Sequence, residues 1–246
     1  MRWRNDRLIA CGRACRVVAH ALSGVAQITL QFPRLSKQQR HERVQAWARE
    51  MLRRLGVELS VEGTPARTGP MLLAANHISW LDIVVLHASC HCRFVSKADV
   101  KRWPLIGTLA AGGDTLFVER RSRRDAMRVM HEMAQALKDG DILAVFPEGT
   151  TGDGGTLLPF HANLLQAAIS ADSPVQPVAL QFIDGATGTR SRAVSYVGDE
   201  SLLGSIWRTL CAEGLRADVA YGAPQRAGGR ARRAWAEDLR DEIAAM

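Results

Sequence analysis

The sequence predicts an α/β fold: a mixed central sheet flanked by helices, with an N-terminal amphipathic helical hairpin. Three observations predict it. Short apolar runs alternate along the chain with segments of helical period, the pattern of strands and helices layered on one another. At 246 residues, 47% of them hydrophobic, the chain can bury one substantial core. Two of the apolar runs, 71–75 and 142–145, are too short for helices and end in polar, titratable residues, where open α/β sheets bind their ligands.

The elements follow in order. Arginines at 2, 4, 7, 13 and 16 precede an apolar stretch, 17–32, broken by His20, Ser23, Gly24, Gln27, Thr29 and Gln31. That stretch is shorter than the ~20 apolar residues of a spanning helix. No small-x-small cleavage site follows, as a signal peptide would need. An interfacial helix with arginines at the headgroups fits better. Pro33 separates it from a second helix, capped by Ser36 and ended by Gly56. That helix carries an apolar stripe (Val44, Trp47, Ala48, Met51, Leu52, Leu55) opposite Lys37, Arg40, Arg43 and Arg49, a membrane-surface pattern. The same stripe also suits packing on a sheet, and the sequence leaves lipid or protein open as its cover. Residues 1–56 are thus expected to be membrane-associating helices and 57–246 an α/β domain.

Beyond Gly56, Val57, Leu59 and Val61 alternate with polar residues as a one-sided strand. Residues 71–75 read as a buried strand bounded by Pro70, and 80–88 as a helix. Short strands are expected at 93–96 and 115–118, a helix at 126–137, a strand at 142–146, a helix at 163–171 and a strand at 176–182. Residues 195–197 and 219–221 suit edge strands, and 232–245 a closing helix after Gly228-Gly229.

Past the two buried strands lie Asn76-His77-Ile78-Ser79-Trp80-Leu81-Asp82 and Phe146-Pro147-Glu148-Gly149-Thr150. Between them stands Gly113-Asp114-Thr115-Leu116-Phe117-Val118-Glu119-Arg120, and after them Val175-Gln176-Pro177-Val178-Ala179-Leu180. Phe94-Val95-Ser96-Lys97 and Trp103-Pro104-Leu105-Ile106-Gly107 fill the spacer. In this order the blocks resemble the glycerolipid acyltransferases, specifically the lysophosphatidic acid acyltransferase group, over roughly residues 57 to 183. One short motif alone recurs by chance; four blocks in family order do not. The resemblance implies the glycerol-3-phosphate acyltransferase-like fold, acyl transfer, and an acyl-CoA or acyl carrier protein donor with no cofactor. It implies a lysophospholipid acceptor, 1-acyl-sn-glycerol-3-phosphate first. Asn76, Glu148, Gly149 and Thr150 then bind the acceptor, and Arg120 its phosphate; Lys97 is a weaker phosphate candidate.

The residues support that chemistry on their own terms. A histidine with a carboxylate five residues on can act as a general base near pH 7, with Asp82 holding the His77 ring and stabilising the imidazolium. The bland alternative is a buried pair capping the helix at Trp80. A thioester already carries a good leaving group, and no Gly-x-Ser-x-Gly elbow exists, so direct transfer is favoured over an acyl-Ser79. Arg120, at a strand end, suits a bidentate grip on phosphate. Many members of the family have lysine where this chain has His161, so an amino-acid lyso-lipid stays open as acceptor. A non-catalytic membrane module and a thioester hydrolase are the other readings.

A net charge of +7 favours anionic partners. The lack of finger spacing or an aromatic RNA-binding block turns that toward a membrane, not nucleic acid. Five cysteines without a framework indicate a reducing compartment, hence the cytoplasmic face of the cell membrane. Cys90-His91-Cys92 with His87 lacks a second ligand pair, so no metal is expected.

Overall fold

Residues 2–119 and 123–246 are described in a computed structural model of the chain. Its centre is a seven-stranded sheet in the order β1-β7-β6-β2-β5-β3-β4. The strands are β1 (Val57–Glu62), β2 (Met71–Ala75), β3 (Arg93–Lys97), β4 (Leu116–Val118), β5 (Ile142–Val145), β6 (Val175–Asp184) and β7 (Leu215–Tyr221). Strands β6, β2, β5, β3 and β4 are mutually parallel; β7 pairs antiparallel with β6, and β1 runs parallel to β7. Every residue of β2 and β5 is buried, as the unbroken apolar runs require of strands covered on both faces.

Two cores result. Leu73 and Ala75 of β2 face one, with α2 (Lys37–Leu55) and α3 (Leu81–Ser89). Leu72 and Ala74 face the other, with α5 (Arg123–Lys138), α6 (Gln166–Ser170) and α8 (Arg232–Ala245), whose Trp235 is fully buried. Helices α4 (Ile106–Gly112) and α7 (Leu202–Cys211) were not foreseen. Nor was the interior place of β7, which the sequence suggested as an edge. Residues 195–197 form no strand; they lie across the loop after β2, where Tyr196 N–H donates to the Ile78 carbonyl at 3.2 Å.

The second helix forms as its caps dictate. Ser36 and Gln39 make a reciprocal capping box, and Gly56 closes the helix at φ 79°. Its stripe is covered by protein, not lipid: Ala48, Met51, Leu52 and Leu55 are buried in the core shared with the sheet. Residues 1–56 and 57–246 therefore share that core.

The first helix, α1 (Arg2–Leu30), is longer than the apolar stretch suggested. Its part Leu8–Leu30 is long and apolar enough by length and composition to cross a membrane. Two arginines lie inside it: Arg13 turns inward and donates to the Leu210 carbonyl at 3.0 Å, whereas Arg16 stays exposed and donates to the Gly12 carbonyl one turn back at 3.2 Å. Leu8, Val18, Leu22 and Leu30 stay exposed along the helix. On the inner side α1 meets α2 closely: the Trp47 indole N–H donates to the His20 carbonyl at 3.2 Å, and His20 Nε2 to the Trp47 carbonyl at 3.0 Å. Gly24 makes this approach possible, since a Cβ there would lie 2.5 Å from Trp47 Nε1.

Candidate active site

Parallel strands β2, β5, β3 and β4 end at one edge of the sheet, and the residues singled out from sequence follow those ends. His77 stands two residues past β2. Its Nδ1 lies 2.8 Å from Asp82 Oδ2, and Asp82 belongs to the first turn of α3. The same oxygen accepts from the backbone N–H groups of Ile78 at 2.6 Å and Ser79 at 2.9 Å. Asp82 is fully buried, and the adjoining helix N-terminus favours its negative charge. Three donors on one carboxylate oxygen fix it in place, so the ring is held with Nδ1–H toward Asp82 and Nε2 free to accept a proton. Phe146 stacks on the ring at 3.9 Å between centroids and 9° between planes, fixing its second degree of freedom.

Glu148 follows β5 and is buried. One oxygen accepts from the His77 backbone N–H at 2.7 Å, the other from the Leu158 N–H at 2.8 Å. Burial pushes its carboxyl pKa up, and these two amides pull it part of the way back. The side chain thus ties the histidine's own backbone to the far end of the 149–158 loop. Gly152 N–H donates to the His77 carbonyl at 2.7 Å, so that loop is pinned to the same residue twice. Gly149 adopts φ 73°, and a Cβ there would meet the His161 ring at 2.8 Å, so the turn needs glycine for both reasons. Thr150 is exposed beside it.

Asn76 has a similar task on the other side. Its amide N–H donates to the Leu180 carbonyl at 3.0 Å and its oxygen accepts from the Leu180 N–H at 2.7 Å, all buried. In this structure the hydrogen bonds of Asn76 and Glu148 go to protein backbone, holding the loop that carries His77. Asn76 reaches Leu180, 104 residues away, and Glu148 reaches His77, 71 residues away, and no sequence signal marks either pairing. Lys97 ends β3 with its side chain exposed. Arg120 lies outside the described residues. Ser79 is fully buried and its hydroxyl accepts from the Leu81 N–H at 3.3 Å.

An apolar groove of about 720 Å³ leads off from Gly149 and His161 between α5 and α6, walled by Met130, Ala134 and Leu164, with Lys138 and Arg232 also lining it. Away from the site, His41 on α2 stacks on His91 at 3.4 Å, and His87 on α3 is buried nearby. Burial lowers the His87 pKa to about 4; burial and the neighbouring imidazoles lower that of His91 to about 3.

Fold and site together define a layered α/β protein that presents a histidine–aspartate pair at the carboxyl edge of its parallel strands. Residues 43–181 match the acyltransferase family, and the chain belongs to it. The chain is 38% identical over 187 residues to a lyso-ornithine lipid O-acyltransferase of Rhizobium meliloti (strain 1021), covering 72% of this chain and 64% of the relative's length. It is 37% identical over 184 residues to a 1-acyl-sn-glycerol-3-phosphate acyltransferase of Neisseria gonorrhoeae, covering 74% of this chain and 71% of that one. In fold it is similar to the crystal structure of the 1-acyl-sn-glycerophosphate (LPA) acyltransferase PlsC from Thermotoga maritima. The TM-score is 0.70 at 18% identity, over 100% of this chain and 99% of the other.

Proposed function

We propose that this chain transfers a fatty acyl group from a thioester donor, acyl-CoA or acyl carrier protein, to the free hydroxyl of a lyso-lipid at the cytoplasmic face of a membrane. The observation that carries this reading is the His77–Asp82 pair, with Nδ1 committed to a buried carboxylate and the opposite nitrogen free. In the proposed reaction Nε2 takes the proton of the acceptor hydroxyl as its oxygen attacks the thioester carbonyl carbon. The imidazolium that forms is stabilised by Asp82, and the C–S bond breaks to release the thiolate. The burial of Ser79 supports direct transfer without an acyl-enzyme. No cofactor enters this scheme.

The exposed apolar side chains of α1 support membrane association, and the groove at Gly149 and His161 supports a place for an acyl chain. For the acceptor, 1-acyl-sn-glycerol-3-phosphate is the first reading, in keeping with the Neisseria relative's name. A lyso-ornithine lipid is the second, favoured by His161 at the Gly149 turn and by the Rhizobium relative's name. Incubating the protein with a labelled thioester and a panel of lyso-lipids, with products identified by mass spectrometry, tests all of this. An acylated lipid from one acceptor is expected, formed at least about a hundredfold more slowly by His77→Ala. Free fatty acid as the sole product would make the chain a hydrolase, and no turnover of any donor a binding module.

A further inference from the structure

The turn leading into α4 is built in an unusual way. Ile106 N–H donates to the Pro104 carbonyl at 2.7 Å across Leu105, whose φ is 62° and ψ −55°. This is a γ-turn of the rare, strained hand, here centred on a leucine where glycine would be relaxed. The backbone strain is accompanied by no burial: Trp103 is 46% exposed, Leu105 40% and Ile106 38%. Three large apolar side chains are held out from a rigid corner where a folding argument alone would hide them.

The surroundings say what covers the corner. Lys101 and Arg102, in the 3-10 turn just before it, are exposed, as is Lys97 at the end of β3. Next to the corner in sequence, Lys101 and Gly107 line a cleft of about 430 Å³ together with Ile28, Phe32, Arg40 and Asp114. Helix α1 borders this cleft through Ile28, with exposed Leu30 two residues further on, and α4 is seated directly on α1, with Gly112 against Ile28. Apolar tips beside a tryptophan, flanked in sequence by cations and followed by a helix that packs on α1, match the layering of an anionic bilayer surface.

We propose that Trp103, Leu105 and Ile106 form a wedge that enters an anionic lipid leaflet beside α1, with Lys101 and Arg102 at the headgroups. The wedge follows β3, so it sets the edge of the sheet bearing His77 against the surface from which a lyso-lipid would be drawn. Its purpose rests on the lyso-lipid reading above, but its test does not.

The full chain carrying Trp103→Gln and Leu105→Gly is suited to that test. Both side chains are on the surface, and glycine relaxes the positive φ, so the melting temperature is expected to hold or rise. Partition onto vesicles of phosphatidylglycerol and phosphatidylcholine should fall on the order of tenfold, the scale of withdrawing two partly inserted apolar side chains. Brominated lipids should lose the share of tryptophan quenching that Trp103 supplies. Lys101→Gln with Arg102→Gln should weaken binding to the anionic vesicles alone. Turnover of a short-chain acceptor in detergent should be unchanged, which separates failure of the wedge from failure of the acyltransferase reading. Unchanged partition and quenching in the first variant would overturn the proposal. So would a defect confined to an acidic carrier protein, or a change in oligomeric state without a change in lipid binding.

Discussion

Replacing Asp82 with asparagine removes one charge and leaves nearly every atom in place. Spacing alone allows this exchange to select the wrong imidazole tautomer, but the structure argues otherwise. The N–H groups of Ile78 and Ser79 both point at Oδ2, so the amide oxygen must take that position and still accept from His77 Nδ1–H. The tautomer is therefore kept and the effect is electrostatic. A full charge about 4 Å from the imidazolium, at an effective dielectric of about 20, contributes about 4 kcal/mol. That bounds the loss of kcat at close to 10³-fold, and a fall of about 10²–10³ is expected. The new NH₂ lands where Oδ1 sits, fully buried and without a hydrogen-bond partner, at a cost of about 1–3 kcal/mol in stability. Turnover of a thioester donor, urea denaturation and the ring ¹⁵N shifts of His77 measure the three quantities separately. A folded Asp82→Asn protein within threefold of normal kcat would refute the base assignment. A His77 ring protonated on Nε2 would refute the orientation argument.

Other predictions concern different parts of the molecule. His77→Ala should lower kcat by about 10²–10⁴-fold, the usual share of a general base, with little change in the denaturation midpoint because the ring is partly exposed. Glu148→Ala strands two backbone N–H groups, so limited proteolysis should cut faster between 149 and 158 while kcat also falls. Gly24→Ala sets a helix-propensity gain of about 1 kcal/mol against overpacking of about 1–3 kcal/mol. With Trp47 2.5 Å from the new Cβ, overpacking should win and the melting temperature fall. Acid should destabilise the protein through His87. Its folded pKa of about 4 lies below the unfolded value near 6.5, so the unfolded state binds the extra proton between those values. Stability is then complete above about pH 6.5 and lost as pH falls toward 4, by about 3 kcal/mol. His91, its pKa lowered to about 3, loses stability across the same window and adds to the effect, while the raised Glu148 carboxyl works against it. Asp114 and Asp141, held below their usual range, act at lower pH. Urea midpoints at pH 7.5 and 4.5 should differ accordingly, and His87→Leu should narrow the gap.

What could be read from the sequence was what is local. His77 and Asp82 were legible because five residues and one helix start contain their whole geometry. The caps of α2 were legible because Ser36, Gln39 and Gly56 act on adjacent backbone. The covering of its stripe was not, since lipid and sheet reward the same pattern. Helix α7 had readable signals: Ser201 caps it, accepting from the Gly204 N–H, and Leu203, Ile206, Trp207 and Leu210 keep helical spacing. Gly204 in its first turn masked them. Helix α4 had fewer, being short, glycine-rich and preceded by a leucine in a turn conformation. The work of Asn76 and Glu148 depends on chain segments far away in sequence, where spacing carries no information.

The pairing of Asn76 with Leu180 has a consequence for how a strand may end. Its side-chain amide offers one donor and one acceptor to Leu180, as a peptide group of β2 would. Strand β6 therefore keeps its ladder closed one step beyond the point where the main chain of β2 turns away. The chain is released to swing His77 clear of the sheet without leaving a bare rung behind. Aspartate would bring two acceptors to that rung and serine could not span it. Position 76 is thus a counterfeit peptide, and it is why a tool can stand at the end of a buried strand without unravelling the neighbour it stands against.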